Sequence, residues 1–385
     1  MPMSNCIEQS NTAKMSWTRT VALQDQSSRS TEIWKCLRED GVESSYEVDV
    51  QCGKPLDVIG LKGTDLQSIR EYADFLSQSS QRLYSSSVSK RYVQVCPCCG
   101  TNTNDAVEAI QAFGIAYHSC SACGHVFIRE QPDDRVLSEA FAASDGHAST
   151  YTEDESLELR LQNVVKPKLD WVIERYCEQY GSDISRIIDV GAGGGHFVEI
   201  CRRAGMIADG YEICSASRNY AKKVFNIELL ATDFLSSQIN DNKSALITFW
   251  GLLEYTPEPR AFINAARRHL TTDGGMLVIE VPRFNSISTT AQRISQRNIA
   301  RHMDPSSHIN CFTDQSLVSA LCLEGFRPVA AWYFGMEAYE LLVQLALKLE
   351  DHSIIQHFAN WLPELQASCD AARLCDDIIV AAVPI

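Results

Sequence analysis

The stretch IIDVGAGGGHF, residues 187–197, does most to limit what this chain can become. A run of apolar residues leads into Asp189, glycines follow at 191, 193 and 195, and a helix carrying Phe197, Ile200 and Cys201 comes next. That order reads as a buried strand, a tight turn and an amphipathic helix. Glycines suit the turn because the chain must bend sharply and let a ligand approach its backbone. The free N–H groups at the start of the following helix then point to the same place.

Around this loop, short apolar runs recur at 186–190, 207–213, 226–231, 245–250 and 275–281, with helical stretches between them. The alternation predicts a mostly parallel sheet covered by helices on both faces. A helix capped by Thr313 and ending at Gly325 precedes two late strands, 327–334 and 377–383, separated by a helical insert at about 336–373. Upstream, Val165, Leu169, Val172, Ile173 and Tyr176 mark a helix that stops at Gly181. Leu66, Ile69, Tyr72, Phe75 and Leu76 mark another from Asp65 to Leu83. Residues 1–30 are rich in Ser, Thr, Asn and Gln and read as a loose arm. No internal repeat is present, and oligomeric state is left open by the pattern.

Glycine spacing discriminates between cofactors. A dinucleotide fingerprint needs G-x-G-x-x-G, but its third glycine would fall on His196, whereas D-x-G-x-G-x-G is matched in full by Asp189, Gly191, Gly193 and Gly195. Here the chain resembles the class I S-adenosylmethionine-dependent methyltransferases. The resemblance implies a Rossmann-like α/β fold with a seven-stranded, mostly parallel sheet and an antiparallel last strand. It also implies that the glycine loop holds the methionine part of S-adenosylmethionine. Glu212, with Ile213 beside it, would lie at the ribose, Asp233 and Phe234 near the adenine, and Trp250 along the cofactor.

FWGLLEYTPEP, residues 249–259, and HMDPSSHINCFTDQSLVSALCLEGF, residues 302–326, resemble the branch that contains ubiquinone-biosynthesis methyltransferases. Where that branch usually carries His after the Glu, this chain has Tyr255, while His308 falls on the matching histidine. His308 is the first candidate for a base, since imidazole titrates near neutral pH. Tyr255, Glu254 and His302 are secondary candidates.

Cys96 and Cys99 form one C-x-x-C pair and Cys120 and Cys123 a second, 20 residues on, each followed by glycine. This spacing predicts a four-thiolate structural zinc site, with a helix-like stretch between the knuckles. Cys98 reads as a bystander, and His118 and His125 as surface or packing residues. Four thiolates leave no open coordination position, so this zinc is not catalytic. The expected organisation is an arm and helical segment at 1–90, a zinc-ribbon-like module at 91–135 and a methyltransferase domain at 150–385, with residues 1–130 forming a zinc-stapled cap over that domain.

Charge narrows the partners. Lys plus Arg number 34 against 49 Asp plus Glu, a net charge of -15, and no Lys or Arg lies between Cys96 and Cys123. Nucleic acid is therefore an unlikely partner. No stretch reaches the ~18 apolar residues that a membrane span needs, and the N-terminus lacks a leader pattern, so a cytoplasmic location is expected. Zinc modules also precede the catalytic domain in sugar C-methyltransferases, though these carry a long additional C-terminal domain. The expectation is O- or N-methylation of a small polar metabolite, natural-product intermediate or glycan. Sugar-type C-methylation, RNA methylation and a non-catalytic S-adenosylmethionine-binding role are the alternatives.

Overall fold

The computed structural model describes residues 16–21, 29–37, 43–54, 57–62, 65–142, 157–237, 243–295, 303–351 and 353–385. In chain order its strands begin with β1 (Ser16–Val21), β2 (Arg29–Leu37) and β3 (Glu43–Cys52). The cysteine region supplies β4 (Lys90–Tyr92), β5 (Val107–Ala112), β6 (Ile115–Ser119), β7 (Val126–Ile128) and β8 (Glu130–Pro132). Then follow β9 (Arg186–Val190), β10 (Ile207–Tyr211), β11 (Leu246–Trp250) and β12 (Met276–Pro282). The last are β13 (Asn310–Cys311), β14 (Phe326–Phe334) and β15 (Asp377–Pro384).

The main sheet has nine strands in the order β1-β2-β3-β14-β15-β12-β11-β9-β10. β10, β9, β11 and β12 are mutually parallel, and β15 runs antiparallel between β12 and β14. Every residue of β12 is buried, and β9 and β11 are buried over most of their length. Helices therefore cover both faces, which explains why these strands read as continuous apolar runs rather than as alternations.

Four expectations need correction. The sheet does not stop at seven strands: β2 and β3 form an antiparallel hairpin pair, β3 joins β14 in parallel, and β1 adds the outer edge. Within the stretch read as a loose arm, residues 16–21 and 29–30 are strand, residues 29–36 alternate outward and inward with Glu32, Trp34 and Cys36 buried, and residues 1–15 and 22–28 lie outside the described residues. The run at 226–231 contributes only a bridge between Leu230 and Tyr211, because the segment turns away after that one pair. Between the cysteine pairs lies a β5–β6 hairpin, not a helix, turning through Phe113 and Gly114, both at positive φ.

The helix Leu66–Leu83 starts where Asp65 accepts from Gln67 and Ser68 N–H, and Lys166–Tyr180 ends at Gly181 with φ 64°. Thr313 and Ser316 form a capping box on Asp314–Leu323. The insert holds helices Glu337–Leu349, Ser353–Phe358 and Leu362–Ala371. Among the described residues no helix is long and apolar enough to cross a membrane.

Candidate functional site

Parallel pairing brings the C-terminal ends of β9, β10, β11 and β12 to one end of the sheet. The loops leaving those ends carry most of the residues singled out from the sequence. Gly191, Gly193 and Gly195 have φ of 74°, 52° and 78°, the left-handed region that favours glycine. A Cβ on Gly191 would lie 3.0 Å from Leu252 Cδ1, whereas nothing stands within 4 Å of one on Gly193. Gly191 is thus glycine for packing, and Gly193 leaves open space of the kind a ligand enters.

Glu212 latches this loop. Its carboxylate accepts from Gly193 N–H at 2.8 Å and Cys214 N–H at 2.7 Å. Burial raises its pKa above the ordinary value, and the two N–H groups oppose that rise. Each oxygen keeps a lone pair for further donors such as vicinal hydroxyls. Ile213, half exposed beside it, offers an apolar surface. Asp189 is buried, accepts from Thr248 Oγ1 at 2.8 Å, and is pushed up to about 7 by that burial, with Thr248 and Lys168 opposing.

The residues expected near the adenine separate. Asp233 is exposed and accepts from Leu235 N–H at 3.1 Å, a local turn. Phe234 is buried in the core, its ring 5.3 Å from Tyr211 and 5.0 Å from His269. Trp250 packs on Phe197, and Lys168 Nζ lies 5.0 Å from its ring while pairing with Glu280. The buried Trp250 Nε1 and Glu254 Oε2 have no hydrogen-bond partner. Orphaned polar atoms, open space above Gly193 and the Glu212 latch fit a polar cofactor along this edge.

Among the residues expected to act as base, Tyr255 hydroxyl lies 3.2 Å from His308 Nε2, with the rings edge-on at 4.9 Å. These two candidates, far apart in sequence, are therefore one pair. Glu254 is buried and its pKa is well raised, chiefly by burial, with Glu280 and Asp377 adding repulsion. Its backbone carbonyl, not its side chain, ties the loop, accepting from Ile309 and Asn310 N–H. His302 lies outside the described residues.

The four knuckle cysteines come together, with all Sγ atoms within 4.8 Å of one another. Cys96–Cys123 and Cys99–Cys120 Sγ separations are 3.6 and 3.7 Å. A tetrahedral site with Zn–S bonds of about 2.3 Å has edges of about 3.8 Å, so the donor set fits zinc. Gly100 and Gly124, at φ 76° and 70°, donate N–H to Cys96 and Cys120 carbonyls, each at 2.9 Å. Cys98 is buried outside this group.

The knuckles are not a detached cap. Their cysteines share an apolar cluster with Phe249, Ile279, Phe312 and Leu317, and β7 pairs with β13. His125, expected to be surface or packing, is fully buried and bonded to Asn310 at 3.1 Å. Thr248, Lys168 and Asn310 were missed as site residues. Each is a single polar residue with no local motif, and only the tertiary contacts identify it.

Residues 137–331, just over half of the chain, match the family model described as Methyltransferase domain, and the chain belongs to this family. A ubiquinone biosynthesis O-methyltransferase of Actinobacillus pleuropneumoniae serotype 5b (strain L20) is 27% identical over 117 residues, 28% of this chain and 49% of that protein. The match thus spans about half the length of that curated relative. Among solved structures, magnesium protoporphyrin IX methyltransferase from Synechocystis PCC 6803 with bound SAH aligns with a TM-score of 0.43 and 12% identity, over 66% of this chain and 100% of that one. The plantazolicin methyltransferase BamL, in complex with a triazolic desmethylPZN analog and SAH, gives 0.42 and 12%, over 65% and 98%.

Proposed function

We propose that this chain transfers the methyl group of S-adenosylmethionine to an oxygen or nitrogen of a small polar metabolite, natural-product intermediate or glycan. The observation that carries the reading is the Glu212 latch on a glycine loop with open space at Gly193, in a chain of the methyltransferase family. The name of the curated relative, an O-methyltransferase, favours oxygen. When bound, S-adenosylmethionine supplies an electrophilic methyl on a sulfonium, and the reaction is an in-line displacement.

The chain's own residues would do the rest. Glu212 receives hydroxyls, Asp189 and Gly191–Gly195 shape the loop, and Ile213 and Trp250 give apolar contact that excludes water. The Tyr255–His308 pair would take the proton an acceptor hydroxyl or ammonium gives up, with Glu254 buried beside it. The four-cysteine site would hold a structural zinc.

Calorimetry of S-adenosylmethionine against the zinc-loaded protein tests the reading. Folded protein that releases no binding heat sinks it. Methyl-labelled donor with panels of hydroxyl, amine and sugar acceptors then identifies the accepting atom.

A further inference from the structure

Asn310 is fully buried where the cysteine module meets the segment after β11. Its neighbours determine its amide orientation. Nδ2 lies 3.1 Å from Leu253 O and 2.7 Å from Thr256 O, atoms that only accept, so Oδ1 faces His125 Nε2, which donates across 3.1 Å. The Asn310 backbone N–H donates to Glu254 O at 3.1 Å. One residue thus holds the carbonyls of Leu253, Glu254 and Thr256, the turn that carries Tyr255.

On its other side Asn310 reaches the knuckle. His125 O accepts from the N–H of Cys120 at 2.8 Å, and Asn310 pairs with Phe127 across the β13–β7 ladder. Tyr117 hydroxyl, from β6, donates to His308 O at 2.7 Å. Both members of the Tyr255–His308 pair are therefore tied by backbone carbonyls in or next to them to contacts that run into the cysteine module.

We propose that Asn310 is a positioning residue through which the metal knuckle sets Tyr255 against His308. The functional meaning rests on the methyl-transfer reading, but the coupling itself is measurable without an acceptor. Asparagine suits the position because it offers two donors and an acceptor in one plane. Aspartate would match the shape and the contact to His125 while turning both donors into acceptors facing carbonyls.

The test uses the full zinc-loaded chain, Asn310→Asp, and His125→Phe, which keeps ring packing on Phe127 and Phe312. Readouts are metal content, S-adenosylhomocysteine affinity by calorimetry, amide hydrogen exchange, and the ring signal of His308 in carbon-13 histidine-labelled protein. Both variants should keep the metal and bind S-adenosylhomocysteine within about threefold of wild type, while amides 252–256 exchange at least about tenfold faster and the His308 signal moves. Chelating the wild-type metal should reproduce the last two changes. Unchanged exchange and an unmoved His308 signal in a folded variant overturn the proposal, as does chelation that loosens only 95–126. If Asn310→Asp does not fold, His125→Phe decides alone. Failure of wild type to bind S-adenosylhomocysteine counts against the methyl-transfer reading, and exchange still reports on the coupling.

Discussion

Asp189→Asn should stabilise the ligand-free protein above neutral pH and not below the ordinary carboxyl value of 3.8. Asp189 is 2% exposed, and burial moves its pKa from the ordinary 3.8 to about 7. Between those values the folded state keeps a proton that the unfolded chain has given up. Stability is therefore fully present below the lower value, falls as pH rises through the window, and is flat above the folded value. At about 1.4 kcal/mol per pH unit, the full cost of ionising Asp189 in the fold is on the order of 4 kcal/mol. Asparagine keeps the shape and does not titrate. The stability difference between variant and wild type, measured by urea unfolding, should grow by about 2.5 kcal/mol between about pH 5 and about pH 7.5. Other buried carboxyls also bend the wild-type curve; Glu254 cancels in the difference, while Glu212, whose charge adds to the rise at Asp189, cancels only in part. A difference independent of pH would refute the reasoning. The same substitution should weaken S-adenosylmethionine binding, and by more at the higher pH, where wild type presents a carboxylate to a cation.

Gly191→Ala should unfold more readily than Gly193→Ala. Both carry about 1–2 kcal/mol of left-handed strain, but only the first meets Leu252 at 3.0 Å; the second should instead lose at least about tenfold in calorimetric cofactor affinity. Removing the metal, or Cys123→Ser, should destabilise the whole chain and not just the module, by at least about 4 kcal/mol in thermal or urea unfolding, because the knuckle cysteines lie in the main apolar cluster. Once an acceptor is found, His308→Gln and Tyr255→Phe should lower kcat by about 10²-fold or more with cofactor affinity retained, checked by steady-state kinetics alongside calorimetry.

What the sequence disclosed followed burial. RIIDV and MLVIEV read as strands because both faces are covered, leaving apolar runs in which Asp189 and Glu280 enter only toward the C-terminal ends. The helix end at Gly181 and the Thr313 cap were legible because their chemistry is local. β2 was not, since Glu32 occupies an inward position and spoils the apolar alternation; only the fold supplies its partners, Trp34 Nε1 at 2.9 Å and Arg373 Nη2 at 2.6 Å. The β5–β6 hairpin was hidden because Phe113 turns at φ 49° where Asn or Asp would have signalled the turn. In the site, the glycine loop, Glu212 and the cysteines follow from spacing. The meeting of Tyr255 with His308, and the Asn310 hub, depend on residues 53 or more positions apart and have no sequence period to reveal them.

The N-terminal strands belong with the catalytic sheet for an electrostatic as well as a geometric reason. Glu32 is fully buried, and its charge is met by Arg373, which lies at the end of the helical insert and stacks 4.3 Å from the Tyr333 ring on β14. Separating the two would leave a buried ion without its counter-charge, which costs several kcal/mol. Lys54, just past β3, reaches Val164 O at 3.1 Å and lies 4.9 Å from the Phe334 ring. The helix Lys166–Tyr180 is clamped from the same side, Glu174 by Arg29 at 2.7 Å and Arg175 by Asp49. That helix also carries Lys168, which sits over Trp250 and pairs with Glu280 at the cofactor edge. The added strands thus cover the β14 edge that would otherwise be open to other chains. They also brace, through one helix, the wall along which a cofactor would lie.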